Sequence, residues 1–119
     1  MNLFQKFNDR KKTKIKEIND LVLEIIEMCN SAIYDYDMDS SKSEIINSII
    51  GFEENGAFSY YSQVKNIVLP EMMEIQKGLS SGQFRIGKIV RLKSSYCITD
   101  SWNPGAKFSK LISRLSNLV

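Results

Sequence analysis

Apolar residues recur at helical spacing over one long stretch of the chain. Ile15, Ile18, Val22, Ile25, Cys29 and Ala32 follow one another at steps of three and four, which places them on a single stripe of an α-helix. Leu21, Leu23, Ile26, Met28 and Ile33 widen that stripe. A helix that is apolar over much of its girth belongs in the middle of a fold. The basic run Arg10, Lys11, Lys12, Lys14 and Lys16 forms its exposed first turns or leads into it.

Further elements follow from the same spacing. Ile45, Ile46, Ile49 and Ile50 pair at i, i+4 and end at Gly51, a short second helix with glycine where a left-handed cap belongs. Ser41-Lys42-Ser43-Glu44 directly before it is an S-x-x-E capping box. Phe58, Tyr61, Val64 and Val68 mark a third helix that Pro70 interrupts. A fresh helix is predicted from Pro70 to Lys77, closed by Gly78. Asn103 and Pro104 read as a cap and a first helical residue, after which Phe108, Leu111, Leu115 and Leu118 step by three, four and three.

Residues 84–102, "FRIGKIVRLKSSYCITDSW", satisfy two periods at once. Phe84, Ile86, Val90 and Leu92 alternate as in a strand, with a turn at Ser94-Ser95 and a second strand through Tyr96 and Ile98. Ile89, Leu92, Tyr96 and Thr99 also fit a helix face. A lone hairpin is only marginally stable unless it packs on something, and its surroundings read helical. The expected fold is therefore all-α, a compact bundle of about five helices. The alternative is α+β, helices packed with one β-hairpin in residues 84–101.

Length and composition bound what such a bundle does. The chain has 119 residues, 43% hydrophobic and 25% charged, with two prolines. That is the composition of a folded globular chain, and the expectation is one domain over residues 1–119. Leu3, Phe4 and Phe7 are split by polar residues, so the start lacks the continuous apolar segment of a secretory signal. Cys29 and Cys97 are then expected to be free, buried thiols in a reducing cytoplasm.

Charge changes the picture more than composition does. The net charge is only +2, yet residues 1–20 carry six bases and three acids, residues 21–60 one base and eight acids, and residues 61–119 nine bases and three acids. An acidic block lies inside a basic chain. Most of these charges are expected to neutralise one another across the fold.

Chemical motifs are sparse. In "YDYDMDSSKSE", residues 34–44, Asp35, Asp37 and Asp39 take positions 1, 3 and 5 of a calcium loop. Ser40 stands where that loop needs glycine, and Ile46 where it needs a bidentate glutamate. A phosphoryl-transfer D-x-D site would need a sheet that the chain has no room for. "GQFRIGKI", residues 82–89, matches G-x-x-x-x-G-K but has Ile89 in place of the magnesium-binding Ser or Thr. Ser62-Gln63-Val64-Lys65 matches S-x-x-K without its companion motifs. The chain has no histidine, so the usual zinc sites and the serine and cysteine triads are excluded. No metal, cofactor or catalytic site is expected, and no motif carries a resemblance to a family.

Two surfaces remain as candidates. Tyr34, Asp35, Tyr36, Asp37 and Asp39, joined by Glu53 and Glu54, form an acidic, tyrosine-bearing connection suited to a basic protein partner. This surface points to a bacterial, cytoplasmic inhibitor of the immunity or antitoxin type that neutralises a partner such as a nuclease toxin. The alternative is a small nucleic-acid-binding or regulatory protein using basic clusters 10–16 and 85–114. There Arg85, Lys88, Arg91 and Lys93, with Lys107, Lys110 and Arg114, would lie along phosphates.

Overall fold

The computed structural model describes residues 3–38, 60–89, 91–100 and 106–119. Among them are four helices and no strand. Helix α1 is Leu3–Met38. Helix α2 runs without a break over residues 60–81 as an α-helical turn Tyr60–Gln63, a π-helical stretch Val64–Val68 and an α-helical stretch Leu69–Ser81. Helix α3 is Lys93–Asp100 and helix α4 is Lys107–Leu118. The expected all-α class holds. The short helix expected at Ile45–Ile50, with its capping box, lies outside the described residues.

The apolar stripe of α1 is the centre of the fold. Ile18, Val22, Ile25 and Cys29 are fully buried and Ala32 nearly so, with Leu21 beside them. At about 1.5 Å per residue a helix of this length measures roughly 54 Å, which matches the longest dimension of the molecule, 57 Å against 24 and 19 Å. Helices α2 and α4 pack along α1, and α3 packs on α4 and on the π-helical stretch. Leu79 and Ser80 at the end of α2 lie beside Lys12, Ile15 and Lys16, so α2 runs back along α1. Lys107 pairs with Glu24 at 3.6 Å, and Arg114 Nε donates to Glu17 Oε1 at 3.0 Å. A higher number on α4 thus meets a lower number on α1, and α4 is antiparallel to it as well.

Pro70 does not start a new helix, contrary to the sequence expectation. Proline lacks an N–H, and its ring strikes the carbonyl four residues back in a regular α-helix. The π-helical stretch directly before it moves the hydrogen bonds out of the i to i−4 register. The chain then passes through Pro70 as one of the first residues of an α stretch, where no N–H is needed. The helix also stops later than expected, at Gly82 with φ +73° instead of at Gly78. The Gln83 N–H donates to Gly78 O at 3.0 Å and the Gly82 N–H to Leu79 O at 3.3 Å, the two bonds of a Schellman cap.

The hairpin alternative for residues 84–101 is also corrected. Residues 82–89, 91 and 92, the described part of the connection between α2 and α3, are in neither helix nor strand, and Lys93–Asp100 is helical. The Lys88 N–H donates to Arg85 O at 3.4 Å, and Gly87 has φ +89°. A positive φ at the third position of a four-residue turn is the requirement of a type II turn. The Gly87 N–H donates to Val119 O at 3.1 Å, tying the connection to the chain end. Of the alternation that mimicked a strand, Phe84 and Ile86 pack partly buried on the core and Leu92 is fully buried, while Val90 lies outside the described residues; Ile89, from the competing helix pattern, is another partly buried anchor.

Helix α4 begins at Lys107 with Ala106 as its cap residue; Asn103 and Pro104, expected as cap and first helical residue, lie outside the described residues. It faces both α1 and α3. Phe108, Ile112 and Leu115 are fully buried on one line, and Leu111 and Leu118 flank them partly exposed.

Candidate functional site

The connection between α2 and α3 forms a surface groove of about 630 Å³ with the outer face of α2. Ile75, Gly78, Phe84 and Ile89 make its floor. Lys77, Arg85, Lys88, Arg91 and Lys93 stand around it, all exposed. The four cations predicted as a nucleic-acid contact therefore converge on one groove. They do so on a turn, the connection after it and a helix start.

Local geometry fixes several of these side chains. Arg85 Nη1 donates to Gly82 O at 3.0 Å and to Phe84 O at 3.1 Å. Its Nε and Nη2 edge remains for a ligand, the edge that matches a phosphate or carboxylate bidentately. The Arg91 guanidinium lies 3.9 Å from the centre of the Tyr96 ring, a cation–π contact that holds it extended. Lys77, Arg85, Lys88 and Lys93 form no ion pair with another described residue. Of the remaining members of the second basic cluster, Lys107 and Arg114 pair with Glu24 and Glu17 of α1, and Lys110 is exposed on α4.

Two carboxylates also line the groove, Glu71 and Glu74. Glu74 is exposed. Glu71 is committed to structure: Oε2 accepts from the Lys93 N–H at 2.6 Å, and Oε1 accepts from the Ser94 N–H at 2.9 Å and from Ser94 Oγ at 2.7 Å. A side chain of α2 thus caps α3, satisfying two orphan amides and placing negative charge at the positive end of the helix. The five cations outnumber these two carboxylates by three. The C-terminal end of α2 contributes only about half a negative charge, so the groove remains positive.

The acidic candidates sit differently. Tyr34, Asp35, Tyr36 and Asp37 belong to the last turns of α1 and not to a connection after it. Positions 35 and 37, two apart on a helix, do not share a face, so they do not form the front of an ion-binding loop. Tyr34 and Met38, one turn apart, are 64% and 69% exposed. Asp39, Glu53 and Glu54 lie outside the described residues. No cluster of three or more potential metal ligands occurs among the described residues.

Sequence reasoning missed two parts of the site. Lys77 stood at the end of a predicted helix, and the apolar floor was split between that helix (Ile75), its stop (Gly78), a possible strand (Phe84) and a competing helix face (Ile89). The glycines of "GQFRIGKI" were a usable signal, since Gly82 and Gly87 are the two with positive φ among the described residues. The pattern that resembled a phosphate loop is a helix stop followed by a turn. Both cysteines are buried and neither is in a disulfide, and burial pushes the Cys29 thiol up from 9.0 to about 12. Among the described residues no helix is long and apolar enough to cross a membrane. No family model matches the chain, and no curated protein or solved structure matches it either.

Proposed function

We propose that the protein is a non-enzymatic binding protein whose working surface is the groove between α2 and the 82–92 connection, and that its ligand is a polymer with a phosphate backbone. The observation that carries this reading is the convergence of Lys77, Arg85, Lys88, Arg91 and Lys93 around one apolar-floored groove. Scattered surface lysines are ordinary. Five cations around one concavity, with one of the two nearby carboxylates engaged in capping, create the field that phosphate contacts use. Cys29 and Cys97, neither in a disulfide, suit work in a reducing cytoplasm.

The test is binding of a fluorescent oligonucleotide by anisotropy at physiological salt. The triple variant Arg85→Glu, Arg91→Glu, Lys93→Glu loses at least tenfold in affinity, each lost phosphate contact being worth about 1 kcal/mol or more. Unchanged affinity contradicts the reading.

One observation favours a second reading, the protein-binding inhibitor of the immunity or antitoxin type. Asp35 and Asp37 lie at the C-terminal end of α1, where the helix dipole disfavours negative charge. Tyr34 and Met38 are widely exposed on the same turns. A charge placement that weakens its own helix finds a use against a basic partner such as a nuclease toxin. Under this reading Asp35→Lys with Asp37→Lys abolishes capture of that partner and leaves oligonucleotide affinity intact.

A further inference from the structure

The groove is one of two cationic depressions that share a wall. The second, of about 340 Å³, lies between α1 and the end of α2 and is lined by Lys12, Ile15, Lys16, Asn19, Leu79 and Ser80. Gly78 and Ser81 line the first depression, and Leu79 and Ser80 line the second. The last turn of α2 is therefore a ridge between them. Two basic clusters nearly seventy residues apart in sequence meet at one end of one helix.

We infer that the two depressions form one composite site for single-stranded nucleic acid, with the strand crossing the last turn of α2 from the groove to Lys12 and Lys16. This inference rests on the groove being the binding surface, and it adds the occupant's form and path. Three observations support it. The groove has an apolar floor, Ile75, Phe84 and Ile89, between cations. Unstacked bases seek such a floor, while the bases of a duplex are enclosed in their own stack and do not reach it. Lys12 and Lys16 are exposed on α1, one helical turn apart on one face, so both reach the same stretch of backbone. The ridge itself carries no acidic side chain over residues 78–81, so only the roughly half negative charge of the helix end opposes a phosphate backbone in transit, against cations on both sides.

The partner chemistry separates this from an acidic peptide. Carboxylates would satisfy the cations, but a peptide has no continuous backbone charge to bridge two depressions. The charge of a nucleic acid strand repeats at every residue.

The experiment measures anisotropy of labelled oligouridylates of about four and about sixteen nucleotides, a duplex of the longer sequence, and a polyglutamate peptide, over a salt series. Lys12→Gln with Lys16→Gln is predicted to weaken the long oligomer about tenfold and to lower its salt slope by about 1.4, two contacts at roughly 0.7 each. The short oligomer, held in the groove alone, is unaffected. Both lysines are exposed, and circular dichroism checks that the double variant keeps its helices. Equal loss for both lengths, or no loss for the long one while the groove variant still loses binding, overturns the composite path and leaves the groove reading standing. Tighter binding of the duplex or of polyglutamate overturns the single-strand assignment. No binding of any probe by the parent protein overturns the groove reading itself.

Discussion

Ser109 is fully buried in α4, and its hydroxyl has no hydrogen-bond partner among the described residues. An unpaired buried hydroxyl carries a desolvation penalty of about 1 to 3 kcal/mol. Ser109→Ala removes it and leaves a void no larger than one oxygen, so the variant is predicted to gain about 1 kcal/mol, read as a higher urea midpoint at unchanged slope. Cys29 gives a prediction of opposite character. Its folded pKa, about 12, lies above the ordinary 9.0 because burial disfavours the thiolate. The folded state therefore holds the thiol proton more tightly than the unfolded chain does. The stabilisation is fully present below pH 9 and is lost between pH 9 and 12, at about 1 kcal/mol per pH unit. Cys29→Ala is less stable at pH 7 because it leaves a small cavity, but its stability falls less steeply across that window. Denaturant midpoints of both proteins at pH 8, 9 and 10 check the slope. Burial at this scale was legible in the sequence. Ile18, Val22, Ile25, Cys29 and Ala32 were named from spacing alone, because a long helix with one stripe leaves no competing register.

The α2 to α3 unit depends on a contact that no local pattern reveals. Glu71 caps α3 from 22 residues upstream, and Ser94, which it holds, is fully buried. Glu71→Ala is predicted to cost about 2 kcal/mol, the sum of a lost cap and two exposed helix amides, with a measurable fall in helical circular dichroism. Glu71→Gln keeps an acceptor and gives a smaller loss. The same contact explains why residues 84–101 were ambiguous in sequence. Ile98 and Thr99 favour strands, and the capping that tips Lys93–Asp100 into a helix is tertiary. Pro70 misled for a similar reason. The proline marks a break only if the preceding turn is α-helical, and the π-helical stretch Val64–Val68 removes that condition. Helix identity was thus readable wherever one face dominated. Helix ends and joins were set by Gly82 and Glu71 at a distance.

Across the whole molecule, segregated charge is organised around α1. Its acids Glu17 and Glu24 meet Arg114 and Lys107, of which only the Glu24 pair joins the acidic block 21–60 to a basic one. Exposed pairs of this kind contribute about 0.2 to 1 kcal/mol each, so they orient α4 more than they stabilise it. Seven of the other cations line the two depressions at the end of α2, five on the groove side and two on the Lys12 side. The sequence identified Arg85, Lys88, Arg91 and Lys93 but not their union with Lys77 or with Lys12 and Lys16, since only the return of α2 along α1 brings them together. The acidic set proved less unified: four of its seven members are carried by the last turns of α1, and the other three lie outside the described residues.

The most direct measurement is a titration of the isotope-labelled protein with a short oligouridylate, following backbone amide shifts by NMR. The account predicts that the shifts concentrate at Lys77, Gly78, Gln83 to Arg85, Lys88 and Lys93, saturate with the ligand and weaken as salt rises. Shifts confined to Tyr34 to Met38, or no shifts at all, would contradict it.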